Sequence, residues 1–445
     1  MNQRMKKLKD ELQDLPTSEL IDIIIQLTDR SDKNTTLINT LLASHHPKKL
    51  ADLLIKQVKS LSKTAPSYDY KQSAALSEQI YDIVAQVDDH LVKKAPDLAV
   101  QILKLLIKID KKLFDHIDDS YGNLGSAYYS LYETLDKAFA ASNSEPEVIA
   151  KYLIETYLDD DYGNRSDIIR QIKTCLQGEK SAALETIMGN YQMKDYQKAD
   201  IRKKVADLSG NVSKYIEAIK NSGRVDSSDI CDIAERLLKA GQTEQSIDWL
   251  MKIKKTDFRS GRKDNLLIKA YEHLGNTEKA QELRWDIFKE FCFIEYYNEY
   301  IKRVAKEDRE SVEKKAIKLA QETQSLCYGV KFLKEIKKYD LLNDLLLKRF
   351  DEVDGQDYHT YRSLSTTLAK QGQYLIASLL RRKLARGCVA KSQSKYYRYA
   401  ASDYKLCNDY AKEVTDWQGF PSHDAFLANF KETHKRKKAF WAMIK

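Results

Sequence analysis

Between Pro146 and Pro421 the chain runs 274 residues without a proline. Proline removes a backbone donor and clashes with the preceding turn, so a long proline-free stretch favours uninterrupted helices. A sandwich or an α/β domain of that length needs more glycine and proline punctuation than this chain, with 15 Gly and 6 Pro in 445 residues, provides. Apolar residues recur every three or four positions. Leu50, Leu53, Leu54, Val58 and Leu61 follow Pro47, and Leu98, Ile102, Leu105, Leu106 and Ile109 follow Pro96. Each set marks one face of a helix that starts at a proline, where the missing N–H costs little. No alternating strand pattern stands out. The periodicity predicts an all-α protein with more than about 60% helix and no sheet, against a base rate of about a third.

A repeat sharpens this reading. Gly241 and Gly275, each followed by a similar Thr-Glu segment, lie 34 residues apart, the period of tetratricopeptide (TPR) hairpins. Turn-like positions recur at Gly210, Gly241, Gly275, Asp308, Asp340 and Gly372. Gly, Asn or Asp there suits a left-handed helix end. Ala280 and Ala377, five positions after Gly275 and Gly372, let a second helix pack closely. The expected fold is a TPR-like α-solenoid of helical hairpins. Three regions are expected: an N-terminal helical region over 1–140, repeats over 146–375 and a basic helical cap over 376–445. In that cap Phe440 and Ile444 share a face beside Trp441, which should dock on the preceding helices while Lys435 to Lys438 reach solvent.

Several chemistries lack their motifs. There is no phosphate-binding glycine loop, no H-E-x-x-H and no G-x-S-x-G. Six cysteines, no two closer than 19 residues, form no metal-spaced cluster and are expected as reduced, packed thiols. His45 and His46 read as a surface turn, and His423 as a capping or packing residue near Pro421. Asp118-Asp119 and Asp159-Asp160-Asp161 could meet a cation but lack an EF-hand's ligand spacing. They read as helix caps, with Asp161 or Asn164 before a helix near Ser166. The expectation is no catalytic residue, no cofactor and no metal. No apolar leader follows Met1, and no apolar run approaches the ~20 residues of a membrane span. A cytoplasmic protein with no membrane association is expected, its oligomeric state open.

Charge is the most informative functional signal. Residues 376–445 hold fifteen Lys/Arg against six Asp/Glu, a net of +9; the whole chain is +8, so residues 1–375 carry about −1. The candidate partner-binding residues are Arg381, Arg382, Lys383, Arg386, Lys395, Arg398, Lys435, Arg436, Lys437 and Lys438, with Tyr396, Tyr397, Tyr399 and Tyr404 among them. A solvated basic face, an acidic protein partner and single-stranded nucleic acid are all compatible with this pattern. The expected role is a non-catalytic scaffold for a protein partner, with nucleic-acid binding as the alternative.

The chain also resembles a family of uncharacterised bacterial helical proteins related to the C-terminal regions of SWIM zinc-finger proteins. The resemblance is carried by Leu15 to Leu20 with Ile24 to Leu27, by Asp118 to Gly125, by Ala400 to Tyr404, by Asp416-Trp417, by Ser422 to Phe426 and by His434 to Trp441. It implies a helical-repeat fold and no particular activity. The SWIM zinc ligands, a Cys-x-Cys and a Cys-x-His, are missing here, so neither zinc nor its nucleic-acid role carries over.

Overall fold

The computed structural model describes residues 3–63, 70–161, 163–223, 225–254 and 260–444. Pro66 and Tyr162 lie outside them. The fold is all-helical, 76% helix, with twenty-five α-helices and no strand among the described residues. Among those residues no helix is long and apolar enough to cross a membrane. Pro47, Pro96 and Pro146 each stand in the first turn of a helix, where proline is tolerated.

The chain divides into two compact units, residues 1–240 and 241–445. In the first unit the helices Pro47–Leu61, Tyr70–His90, Pro96–Phe114 and Asn123–Ala141 pack on one another. Their core runs from Leu50 through Leu103, Tyr128 and Ile154 to Val205. Tyr128 is buried, and its hydroxyl donates to the Leu106 carbonyl at 3.0 Å, so the ring joins the core without stranding a polar atom.

In the second unit successive helices pair. Ser260–His273 packs on Thr277–Phe291, Arg309–Glu322 on Leu326–Glu335, and Tyr358–Lys370 on Tyr374–Ala390, which in turn packs on Tyr397–Ala411. One core gathers Phe288, Phe332, Leu346 and Leu380; a second, terminal one gathers Tyr397, Tyr404, Phe430 and Phe440. Phe440 is the buried anchor of the last segment, 6.0 Å from Tyr397 and 5.7 Å from Phe430 between ring centres. Trp441 beside it is half-buried, its indole N–H donating to the His434 carbonyl.

The expected turn glycines take the left-handed conformation. Gly210, Gly241, Gly275 and Gly372 have φ between 66° and 77°. After Gly210, Gly275 and Gly372, the next residue's N–H reaches five residues back: Asn211 to Ala206, Asn276 to Tyr271, and Gln373 to Leu368. This is the Schellman closure, which satisfies a helix-end carbonyl. The two aspartates differ. Asp308 ends a short 3-10 turn and has no positive φ, and at Asp340 the left-handed residue is Lys337, three positions earlier (φ 59°). The same closure forms there, with Lys338 N–H on Leu333 O; a lysine carries no sequence signal for it.

The acidic clusters also divide. Asp119 behaves as a helix-start anion, accepting from Leu124 N–H at 2.9 Å and Gly125 N–H at 3.0 Å. The 159–161 cluster does not cap the short helix Ile168–Gln171, which has no side-chain cap. Asp160 instead accepts from the backbone N–H of Arg165 at 3.0 Å, and Asp159 meets the side chain of Arg165, which is buried. Its guanidinium donates to both oxygens of Asp110 (2.7 and 2.6 Å) and to Asp159 (2.8 Å). Lys111 closes the outer side against Asp159 and Asp161, both at 2.8 Å.

Candidate functional site

The helix Tyr358–Lys370 starts at Asp357, whose side chain accepts from Thr360 N–H at 3.0 Å. That start places Tyr358 and Arg362, four residues apart, on one face. The next helix, Tyr374–Ala390, buries residues on most of its faces, Ser378, Arg381 and Arg382 among them. Past its end Ser392 takes a left-handed conformation (φ 57°), and the turn Ser394–Tyr396 leads into Tyr397–Ala411.

The loop before Tyr358 meets the middle helix backbone to backbone. A Cβ on Gly387 would lie 2.4 Å from Gly355 O, and a Cβ on Gly355 would lie 2.4 Å from Lys383 O. Only glycine permits this approach. Beside the contact opens a cleft of about 720 Å³, walled by Tyr358, Arg362, Lys391, Gln393, Tyr396 and Tyr399 and floored by Leu384, Gly387 and Cys388. Its lining contains two cations and no carboxylate.

Behind the wall sits one buried carboxylate. Asp403 is fully buried and takes bonds from two arginines: Arg362 through Nε and Nη2, the shortest at 2.6 Å, and Arg381 through Nη1 at 2.6 Å. Arg381 also donates to Ser365 Oγ, Thr366 Oγ1 and the Arg362 carbonyl. One negative charge thus meets two positive ones, and the surplus falls on Arg362, the more exposed of the two. The Arg362 guanidinium lies 5.4 Å from the Tyr358 ring centre and 5.2 Å from that of Tyr399, so both aromatic walls hold it in place.

The ten basic candidates separate by face. Lys395 lies over Tyr396 (5.0 Å), and Arg398 lies over Tyr399 (4.6 Å) while donating to its hydroxyl (2.7 Å). Lys437 hydrogen-bonds Ser392, between the lining residues Lys391 and Gln393, which brings the Lys435-to-Lys438 run to the rim. Lys435, Arg436 and Lys438 are exposed, Lys435 pairing with Glu432 at 2.5 Å. Arg381 and Arg382 are inside the fold rather than on a surface, because the middle helix is enclosed on most sides. Lys383 turns to Phe350 (5.2 Å) and Arg386 to Asn429 and Phe426.

Arg382 has no carboxylate among its bonded partners. It donates to Pro421 O at 2.8 Å, meets His423 Nδ1 at 3.2 Å and lies 3.9 Å from the Trp417 ring centre, while its Nε has no partner. Burial pushes its pKa down to about 10. His423 packs as expected, stacked on Trp417 and bonded to Asn408 at 2.9 Å.

Sequence reasoning missed Tyr358 and Arg362, which precede the basic region. Their signal was the four-residue spacing of an aromatic and a cation just after the helix-capping Asp357. Among the described residues no group of three or more His, Cys, Asp or Glu is placed to hold a metal ion.

No curated protein matches the chain. The model of a family of unknown function, DUF6880, matches it twice, over residues 4–203 and 190–443, and so takes in both units. By that match the protein belongs to the DUF6880 family of unknown function.

Proposed function

We propose that this protein is a non-catalytic interaction scaffold that takes an acidic segment of a protein partner into the cleft beside Gly387. The observation that carries the reading is the lining itself: Tyr358, Tyr396 and Tyr399 with Arg362 and Lys391, and no carboxylate. Tyrosines give contact area at low entropic cost, and Arg362, whose Nε and Nη2 are engaged by Asp403, keeps Nη1 for an incoming carboxylate. The surrounding Lys395, Arg398, Arg436 and Lys438 steer an acidic chain toward it.

The reading sits within a TPR-like α-solenoid, supported by the paired helices and left-handed glycine ends. It keeps three regions, 1–140, 146–375 and 376–445, the cleft belonging chiefly to the last. A kinship to the helical parts of SWIM zinc-finger proteins and a cytoplasmic setting fit the same role. Single-stranded nucleic acid is the second reading, favoured by the exposed rings of Tyr396 and Tyr399.

The test is a titration of a labelled Glu/Asp-rich peptide and, separately, a single-stranded oligonucleotide. The protein is compared with its Lys391→Glu and Tyr396→Ala/Tyr399→Ala variants. The peptide should bind, and both variants should weaken it roughly tenfold or more. Oligonucleotide binding with no peptide binding establishes the second reading. Equal affinity of wild type and variants for either ligand removes the cleft from the function.

A further inference from the structure

Residues 17–43 carry apolar side chains that the other described residues leave largely open. Helix Thr17–Arg30 buries none of its side chains. Ile21, Ile23, Ile24, Ile25 and Leu27 are between 37% and 52% exposed, and Leu41 and Leu42 of the next helix, Asp32–Ala43, are 49% and 66% exposed. Before Leu50, the first member of the first unit's core, only Ala43 packs against that core among the described residues. The two helices are joined by polar bonds at their turn, Asn34 Nδ2 to Leu27 O and Thr35 Oγ1 to Thr28 O, both 2.9 Å. The hairpin is therefore held at one end while its isoleucines stay open.

The width of the apolar face is informative. At 100° per residue, Ile23, Leu27, Leu20, Ile24, Ile21 and Ile25 span an arc of roughly 200°, about twice the stripe a helix needs to lie on one core. A single neighbouring helix cannot cover such an arc. A hairpin of this kind needs a second layer of helices.

We infer that the second layer is another copy of this chain, the two hairpins closing into a four-helix bundle about a two-fold axis. Two observations select this occupant. The first is charge. The helix before the hairpin, Gln3–Gln13, exposes Lys6, Lys7 and Lys9 against Asp10 and Glu11, Lys7 pairing with Glu11 at 3.7 Å, whereas Thr17–Arg30 exposes Glu19, Asp22 and Asp29 against Arg30, so the two helices carry opposite net charge. A symmetric interface must be self-complementary, and a two-fold pairing sets the basic stretch of one protomer against the acidic stretch of the other. The second is area. The seven exposed Ile and Leu side chains present on the order of 600 Å² of apolar surface, at the upper end of what a monomer carries. With the flanking charges this approaches the roughly 800 Å² per partner of a standard interface.

Sedimentation velocity on the full chain tests this. The wild type should sediment at twice the 51.4 kDa of one chain across the micromolar range. Ile21→Asp/Ile25→Asp should sediment as a monomer with an unchanged helical circular dichroism spectrum. Two charge variants complete the test: Lys6, Lys7 and Lys9 to Glu, and Glu19, Asp22 and Asp29 to Lys. Each alone should weaken self-association at least about tenfold, and an equimolar mixture should restore it as a heterodimer. A monomeric wild type overturns the inference and hands the face to a different partner; added anionic vesicles then test a membrane surface. A dimer that survives the isoleucine substitutions, or charge variants that fail to rescue each other, overturns it equally.

Discussion

Each unit buries a charge hub, and the two are built with opposite signs. In the first unit one arginine, Arg165, is held by aspartates; in the second one aspartate, Asp403, is held by arginines. Both staple segments far apart in sequence, 55 residues for Arg165–Asp110 and 41 for Arg362–Asp403. The surplus charges have different fates. In the first unit Asp159 turns outward and Lys111 meets it together with Asp161. In the second, the spare positive charge stays on Arg362 at the wall of the cleft, between two tyrosines. A hub that finds its own counter-charge is a staple. One that leaves a cation at a carboxylate-free cleft is a staple that also charges the cleft wall.

The comparison breaks most sharply at its centres. Asp403→Asn removes the only carboxylate of its hub and leaves Arg381 buried without an opposite charge; the expected loss is about 3–5 kcal/mol in chemical denaturation. Asp110→Asn should cost less, about 3 kcal/mol, because Asp159 still faces Arg165. Equal losses would show that the surplus charge plays no energetic part. Next is Arg362→Gln, expected to cost about 1.5–3 kcal/mol as bonds to a buried carboxylate are lost. It should also abolish peptide binding, a readout that no first-unit substitution moves. Asp159→Asn, at the solvent side of the other hub, should cost under about 1 kcal/mol despite its two cationic partners.

The smallest effect is a pH slope from two histidines of the second unit. Burial, reinforced by Arg382, lowers the pKa of His423; burial, reinforced by Lys437 and Arg386, lowers that of His434. A histidine whose folded pKa lies below its unfolded value of 6.5 binds fewer protons folded than unfolded. The stability it supports is present above that pH and is lost as pH falls through the folded pKa. Denaturation midpoints should therefore decline from pH 6.5 downward, and His423→Gln/His434→Gln should flatten the decline. An unchanged slope in that variant assigns it to other groups.

The helical period, the proline starts and four glycine ends were legible because each is local: a residue and its near neighbours determine the outcome. Lys337 was illegible because the left-handed turn there is imposed by packing on an ordinary residue. The hubs were illegible for a different reason. Nothing in the run Arg381-Arg382-Lys383 says which cation faces inward; the answer depends on Asp403, 22 residues on, and on how many neighbours the helix acquires. Likewise Phe440 and Trp441 are adjacent aromatics, and only the third dimension makes the first the anchor. The cleft was half legible: Tyr396, Tyr399 and Lys391 stood in the basic region, but Tyr358 and Arg362 come from a helix before it.

The contact of Gly355 with Gly387 sets the gauge of the cleft. Its mouth is held at one width by two hydrogen atoms where every other residue would place a carbon. Each missing methyl is a shim waiting to be inserted. Alanine at position 387 would wedge the loop off the helix, and larger residues would pry it further. The cleft's aperture is thus adjustable from a point that touches no charged group, so width and charge can be varied one at a time.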